Sequence, residues 1–285
     1  MIMHTAMVII PHSDDAVLFC GGTLAKFASE GWQIILVHVT DDTRDSVGLT
    51  AEEAKRRNAG ELQESSRALG VAEIVELGFP TDSLADVPLG QLRERIVYHL
   101  RKHQPYAVFS FDPDQLGEDN MDHVRTAQAV TEAFWVAAFD LHYPEHFSEG
   151  LSPFSVCERW YFGRELARPN HIEEVTDFIP KKIEAFLYHQ TQIANILHQL
   201  ILQARTWGRR INIIEDAANG DPRGLVSMFL TEQAEELGNA WNLGEEKLGE
   251  VFRLERFGHL EPLFQLHSEP IPGAESSVRR EGLDK

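Results

Sequence analysis

Cysteine is scarce in this sequence: Cys20 and Cys157 are the only two among 285 residues. Two thiols exclude a disulfide framework and a cysteine-built structural zinc knot. They suit a reducing, cytoplasmic setting, with both side chains expected in core positions. Positive charge is also short. Lys and Arg total 26 against 45 Asp and Glu, a formal net charge of −19. Such a surface repels nucleic acid and anionic membranes, so neither is expected as a partner. No stretch approaches the roughly 20 apolar residues of a membrane-spanning helix. The opening "MIMHTAMVII" has no basic segment and no small-residue cleavage site, so no signal peptide is expected. Internal repeats and low-complexity blocks are missing too. Gly21-Gly22 does not have the G-x-G-x-x-G spacing of a dinucleotide site, and the His-Asp-Asp cluster before it would repel a pyrophosphate. Close packing of helix on sheet is the expectation there.

What is present is enough apolar residue for a buried core, 43% of the chain. The first half alternates two periodicities. "AMVIIP", "QIILVHVT", "AEIVELGF" and "YAVFSFDP" are short apolar runs with turn residues beside them, and read as strands. Residues 16–30, 51–69, 88–103 and 122–139 carry helical spacing, and Gly70 is placed to close the second of these helices. Strand and helix in this rhythm give parallel βαβ units. The spacing predicts a three-layer αβα, Rossmann-like, mostly parallel sheet with a helix-rich C-terminal part. "VCERWYFGR" reads as a late strand, and "KKIEAFLYHQTQIANILHQLILQARTWGRRI" as one long amphipathic helix with a break near Gly208. Residues 225–240 read as a further helix. The expected organisation is a catalytic αβα domain over 1–205, a helical extension packed on it over 206–267, and a flexible tail over 268–285.

Ligands of open parallel sheets sit beyond the carboxyl ends of the strands. Three loops bring polar groups to that edge: His12, Asp14 and Asp15 after the first strand, Thr40, Asp41 and Asp42 after the second, and residues 112–123 after the fourth. Histidine and aspartate are metal ligands, and with a second histidine they make a three-ligand site with one open position. A neighbouring carboxylate outside the ligand set can then take a proton from water. An aspartate opening a helix is equally an N-cap, stabilising by about 1 kcal/mol. "PHSDD" alone leaves both readings open. "DPDQLGEDNMDHVRTAQAV" adds weight to the metal, because His123 opens a helix at the same sheet edge.

"PHSDDAVLFCGGTLA" resembles the P/A-H-P-D-D…GG-T-L-A signature of the PIG-L/LmbE-like zinc-dependent de-N-acetylase family. The resemblance runs on through "TDDTRD", "GELQESSRALGVAEIVELGFPTDSL", the "DP…MDH" segment and "KKIEAFLYHQTQ", and covers roughly residues 7–195. It implies that His12, Asp15 and His123 hold Zn²⁺, or another divalent ion. It implies that Asp14 is the general base and that Asp122 orients the first histidine of the family's H-P-D-H element. In this sequence that position is Asn120, and Ser13 replaces the usual proline. An asparagine amide can donate to an oxyanion, a contact worth about 2.7–4 kcal/mol where one such donor has been removed. It cannot be a general acid. Asn58 stands where the family often has a pocket arginine, with Arg57 just upstream.

Asp41, Asp42, Arg57 and His142 are further substrate-binding candidates; His142 or His146 is placed to replace the missing imidazole. The activity implied is metal-dependent hydrolysis of an N-acyl group, N-acetyl foremost, from an amino sugar or related small metabolite. The alternatives are an amidase for a thiol conjugate or natural product, and a catalytically weakened metal-binding protein of the same fold. The partners expected are a small-molecule N-acyl substrate and other copies of the chain, with the apolar stripe of the 181–205 helix as an interface.

Overall fold

The computed structural model describes residues 4–44 and 46–269. The first elements are β1 (Thr5–Ile10), α1 (Asp15–Ser29), β2 (Gln33–Thr40), α2 (Ala51–Leu69), β3 (Glu73–Phe79), α3 (Leu89–His103), β4 (Ala107–Phe111) and α4 (Met121–Val136). There follow α5 (Glu145–Ser148), β5 (Glu158–Phe162), β6 (His171–Glu174), α6 (Ile179–Leu187) and α7 (Gln190–Thr206). The chain closes with α8 (Asn212–Asn219), α9 (Arg223–Ala240), β7 (Gly249–Arg256) and α10 (Glu261–His267). No described helix is long and apolar enough to cross a membrane.

One seven-stranded sheet runs β3-β2-β1-β4-β5-β7-β6. The first five strands in that order pair in parallel, and β7 is antiparallel to both β5 and β6. Both faces are covered, so β1 and β2 are apolar on either side and almost wholly buried. Met7, Ile9 and Val37 pack under α3 and α4 on one face. Ala6, Val8 and Ile10 pack under α1 and α2 on the other. The expected αβα layers are present. A further apolar cluster on the outer side of α1 joins Val17 and Ala25 to Phe186, Ile193 and Leu230 of the later helices.

The C-terminal part differs from expectation in two ways. It is not wholly helical, because β7 inserts between β5 and β6. The reason is a buried carboxylate. Glu250 of β7 accepts from Gly22 N (3.0 Å), Thr23 N (2.7 Å) and the Thr23 hydroxyl (2.7 Å), and pairs with Lys182 Nζ at 2.7 Å. These amides are exposed by a kink in α1, where Cys20 leaves helical geometry (φ −143°, ψ 18°). Gly22 must be glycine-sized here, since a Cβ would sit 2.9 Å from Val175 Cβ.

The long helix expected over 181–211 also breaks earlier, at Tyr188–His189, giving α6 and α7. Glu61 of α2 holds that break by accepting the Thr191 amide (3.0 Å) and hydroxyl (2.8 Å) at the start of α7. A carboxylate there meets the free N–H groups of a helix N-terminus. The expected break near Gly208 is the end of α7, with Gly208 at φ 72°. Ile193 and Leu197, the apolar stripe assigned above to an interface, are buried against α8 and α9. The tail assigned to 268–285 lies, from 270 on, outside the described residues.

Candidate metal centre

β1 and β4 are parallel neighbours, with Val8 opposite Phe109. Their carboxyl ends therefore deliver two loops to one place. The first carries His12, Asp14 and Asp15 into α1; the second carries residues 112–120 into α4. His12 Nδ1 lies 3.2 Å from His123 Nε2 and 3.4 Å from Asp15 Oδ2, and His123 Nε2 lies 3.4 Å from Asp15 Oδ1. All three residues are buried. A tetrahedral ion with bonds of about 2.0–2.2 Å separates neighbouring donors by about 3.3–3.6 Å. Two of the distances, at 3.4 Å, fall on the edges of that polyhedron and the third, at 3.2 Å, is within about 0.1 Å of them, so the donor set fits a divalent metal.

Each histidine is held by a carboxylate on its other nitrogen. His12 Nε2 lies 3.3 Å from Asp122 Oδ2, and His123 Nδ1 lies 2.9 Å from Glu118 Oε2. Such partners fix the tautomer and aim the free nitrogen at the centre of the donor triangle. Asp122 is itself fixed by the backbone N–H groups of Asp82 (2.7 Å) and Leu84 (3.0 Å). Phe111 stacks on the His123 ring at 4.0 Å. Asp82, His12 and Asp122 form a second possible donor group, but both Asp122 oxygens are already taken by backbone amides.

The electrostatics follow the same geometry. Burial alone would raise the Asp15 carboxyl, but His123 and His12 beside it hold it far below the usual carboxylate range. Burial would lower His123, yet Asp15 and Glu118 outweigh it and push it up to about 9. Glu118 and Asp122 are lowered, against their burial, by the histidines and backbone amides they accept from. Without metal the cluster keeps a proton on His123.

Asp14, His12, Asp15, His123, Asn120 and Arg164 line a cavity of about 220 Å³. Residues 7–134 match the family described as GlcNAc-PI de-N-acetylase, or PIG-L. Residues 7–134 are a PIG-L family domain. The chain is 26% identical over 196 residues to diacetylchitobiose deacetylase of Thermococcus kodakarensis, which covers 68% of this chain and 72% of that protein. It is 25% identical over 185 residues to mycothiol S-conjugate amidase of Streptomyces coelicolor, covering 57% of this chain and 61% of that one. The solved structure of N,N'-diacetylchitobiose deacetylase from Pyrococcus horikoshii superposes with a TM-score of 0.69 at 24% identity, covering 91% of this chain and 88% of that chain.

Within this PIG-L frame the other expected residues fall in different places. Asp14 makes no capping bond to α1 and lines the cavity. Asn120 caps α4, its Oδ1 accepting from Asp122 N at 2.9 Å, and also lines the cavity. Asp122 does not reach residue 120 with its carboxylate; it holds His12. The reason is the substitution itself: a short N-cap asparagine leaves no imidazole for Asp122 to orient.

Asp41 and Asp42 do not line the cavity, because they brace its loops. Asp41 accepts from the hydroxyls of Thr43 (2.9 Å) and Thr81 (3.0 Å). Asp42 is buried, with φ 47°; it accepts from Ser13 N at 3.1 Å and lies 3.2 Å from His38 Nε2. Its carbonyl takes the Asn58 amide at 3.0 Å, so Asn58 also serves the loop. Arg57 is exposed and paired with Glu53 at 2.5 Å. His142 is exposed beside Phe139 and Tyr143, and His146 is buried between Arg101 and Glu94. Neither histidine lines the cavity.

Two residues of the centre escaped the sequence reading. Glu118 lies five residues before His123 in an irregular loop, where no periodicity reports its direction. Arg164 follows β5 and enters the cavity from a loop far from either motif. Gln192, from α7, also lines it; its only signal was its place in "KKIEAFLYHQTQ".

Proposed function

We propose that the protein is a zinc-dependent hydrolase that removes an N-acyl group, N-acetyl foremost, from an amino sugar or related small metabolite. The observation that carries this reading is the triangle of buried donors at 3.2–3.4 Å with the Asp14 carboxylate lining the same cavity. His12, Asp15 and His123 would hold the metal. Zn²⁺ in that position would polarise the acyl carbonyl and acidify water. Asp14 takes the proton of the attacking water and returns it to the departing amine. Asn120 keeps its Oδ1 on the Asp122 amide, which leaves its N–H₂ group as the donor to the oxyanion. Asp122 and Glu118 hold the two histidines in register. The relatives named above are, by their names, a deacetylase of diacetylchitobiose and an amidase of mycothiol S-conjugates, which supports cleavage of a linear amide.

The test is Asp14→Ala in zinc-loaded protein, with acetate release measured across a panel of N-acetyl sugars. Loss of a general base lowers kcat by about 10²–10⁴-fold. Hydrolysis at the wild-type rate would remove Asp14 from the mechanism. Asn120 favours a second reading, a weakened or redirected catalyst, because position 120 carries an amide and not an imidazole. Asn120→His separates the two: a strong rise in turnover with binding unchanged identifies a weakened catalyst. Screening N-acyl thiol conjugates and natural-product amides separates a redirected one. Both cysteines are free, which supports a reducing, cytoplasmic setting. Leu200, Leu202 and Trp207 remain exposed on and just beyond α7, which supports self-association, measurable by sedimentation.

A further inference from the structure

The cavity over the donor triangle is one of three that meet at Arg164. A polar cavity of about 430 Å³ adjoins it through Asn120, Arg164 and Gln199, with Asp82, Asp119 and Asp122 around it. A third cavity, of about 470 Å³, shares Leu18, Phe19 and Arg164 with the central one. Its other walls include Phe162, Leu166, Leu237 and Trp241. Phe19 stacks on Phe162 at 5.4 Å and meets Phe111 edge-on at 5.1 Å, so its aromatic wall is braced from behind. Lys182 and Glu250 also line it, but they are joined at 2.7 Å, and the carboxylate is further bonded to Gly22 and Thr23. That pair neutralises itself and offers no free charge to a ligand. Arg164 stands where the three cavities join, with carboxylates of Glu118 and Asp119 each at 3.5 Å.

We propose that the third cavity is a substrate subsite for an apolar substituent of the N-acyl amino sugar, an alkyl or aryl group carried on either side of the scissile amide. This rests on the hydrolase reading above. The division of chemistry supports it. Carboxylates and amides of the polar cavity suit sugar hydroxyls. The aromatic and aliphatic side chains of the third cavity, with the exposed Gln233 and Glu236 and with Arg164 also in its lining, suit a group that gains by leaving water, at about 25 cal/mol per Å² of apolar surface. Trp241 and Leu237 come from the C-terminal part of the chain, so that part sets which substituent is accepted.

The test measures kcat/KM of the metal-loaded full chain on three sets: N-acetylglucosamine, its phenyl and octyl β-glycosides, and glucosamine bearing butanoyl, hexanoyl or octanoyl groups. At least a tenfold gain over N-acetylglucosamine is expected in one apolar set. A gain with the glycosides puts the subsite on the amine side; a gain with the longer acyl groups puts it on the acyl side. A flat response in both sets overturns the inference. Ala240→Trp, which fills the cavity, and Trp241→Ala, which strips its wall, are each expected to cut the ratio of apolar to plain substrate at least fivefold. An unchanged ratio in both overturns it too. If no compound is hydrolysed, the hydrolase reading fails separately. The subsite is then read by calorimetric titration with phenyl β-glucoside, which has no amide. Saturable binding that Ala240→Trp abolishes supports the subsite, and its absence overturns it.

Discussion

Replacing Glu118 by Gln keeps the shape of a buried side chain and removes its charge. The side chain is 1% exposed, with Oε2 2.9 Å from His123 Nδ1 and Oε1 accepting from Asn120 N at 2.9 Å. A glutamine has one acceptor oxygen for these two donors, so one of them must face the amide N–H₂. The bond that remains on His123 is neutral, falling from about 1.5–3 to about 0.5–1.5 kcal/mol. Changes to such partners of a ligand histidine lower metal affinity by about 10–100-fold, or about 1.4–2.8 kcal/mol. A second effect opposes the first. The Glu118 anion also strengthens proton binding at His123, which sits at about 9, and that proton must leave before metal binds. Without the anion the proton leaves more easily. The loss of zinc affinity is therefore expected to be nearest tenfold at pH 7 and to grow toward pH 9, where proton competition at His123 has nearly gone. Competition against a chromophoric zinc chelator at both pH values measures it, with the melting temperature confirming a folded variant. A folded variant within twofold of wild type at both pH values would refute the role given to Glu118.

Three further outcomes follow from the same geometry. Metal affinity of the wild type is expected to rise by about one decade per pH unit from 6.5 to about 9 and then flatten, because one proton leaves His123 per ion bound; a flat profile in chelator competition would refute this. His189 is fully buried, and burial lowers it to about 4. The unfolded chain takes up this proton below about 6.5 and the folded chain does not, so stability falls as pH drops from about 6.5 to about 4, by about 2 kcal/mol at pH 5. Urea unfolding of His189→Met should show a pH 7 to pH 5 loss smaller by that amount, and an equal loss in both proteins would remove His189 as the cause. Lys182→Met leaves Glu250 buried without its counter-charge and is expected to cost about 3–5 kcal/mol, with much of it recovered in the Lys182→Met, Glu250→Gln double variant; additive losses in denaturant titrations would contradict the pairing.

The half of the fold that was legible in the sequence is the half built by local rules. β1, β2 and β4 are apolar because both their faces are covered, and α2 is bounded by Thr50, whose hydroxyl accepts from Glu53 N, and by Gly70 at φ 83°. His12, Asp14, Asp15 and His123 were legible because each sits directly after a strand or at the start of a helix. β6 and β7 were not, because their buried charges look like surface. Arg253 of β7 grips Asp112 at 2.6 and 2.8 Å, and Glu250 grips Lys182, yet no local pattern in the sequence marks Arg253, Glu250 or Lys182 as buried. The break before α7 depends on Glu61, 130 positions from Thr191, and no local pattern reports it. Glu118 and Arg164 were hidden for a third reason: their directions are set by loop geometry alone.

The carboxylate of Glu250 also ties the first helix to a strand near the end of the described chain. During synthesis His12, Asp15 and His123 leave the ribosome well over a hundred residues before Glu250 does. Over that interval the nascent chain holds every donor of the centre, but the amides of Gly22 and Thr23, on the helix that begins at Asp15, lack their acceptor. Metal captured early would meet a helix not yet pinned to the sheet. Ribosome-bound chains stalled before and after residue 250 are therefore expected to differ in how firmly they hold a supplied divalent ion, and equal retention in both would remove Glu250 from the stability of the donor triangle.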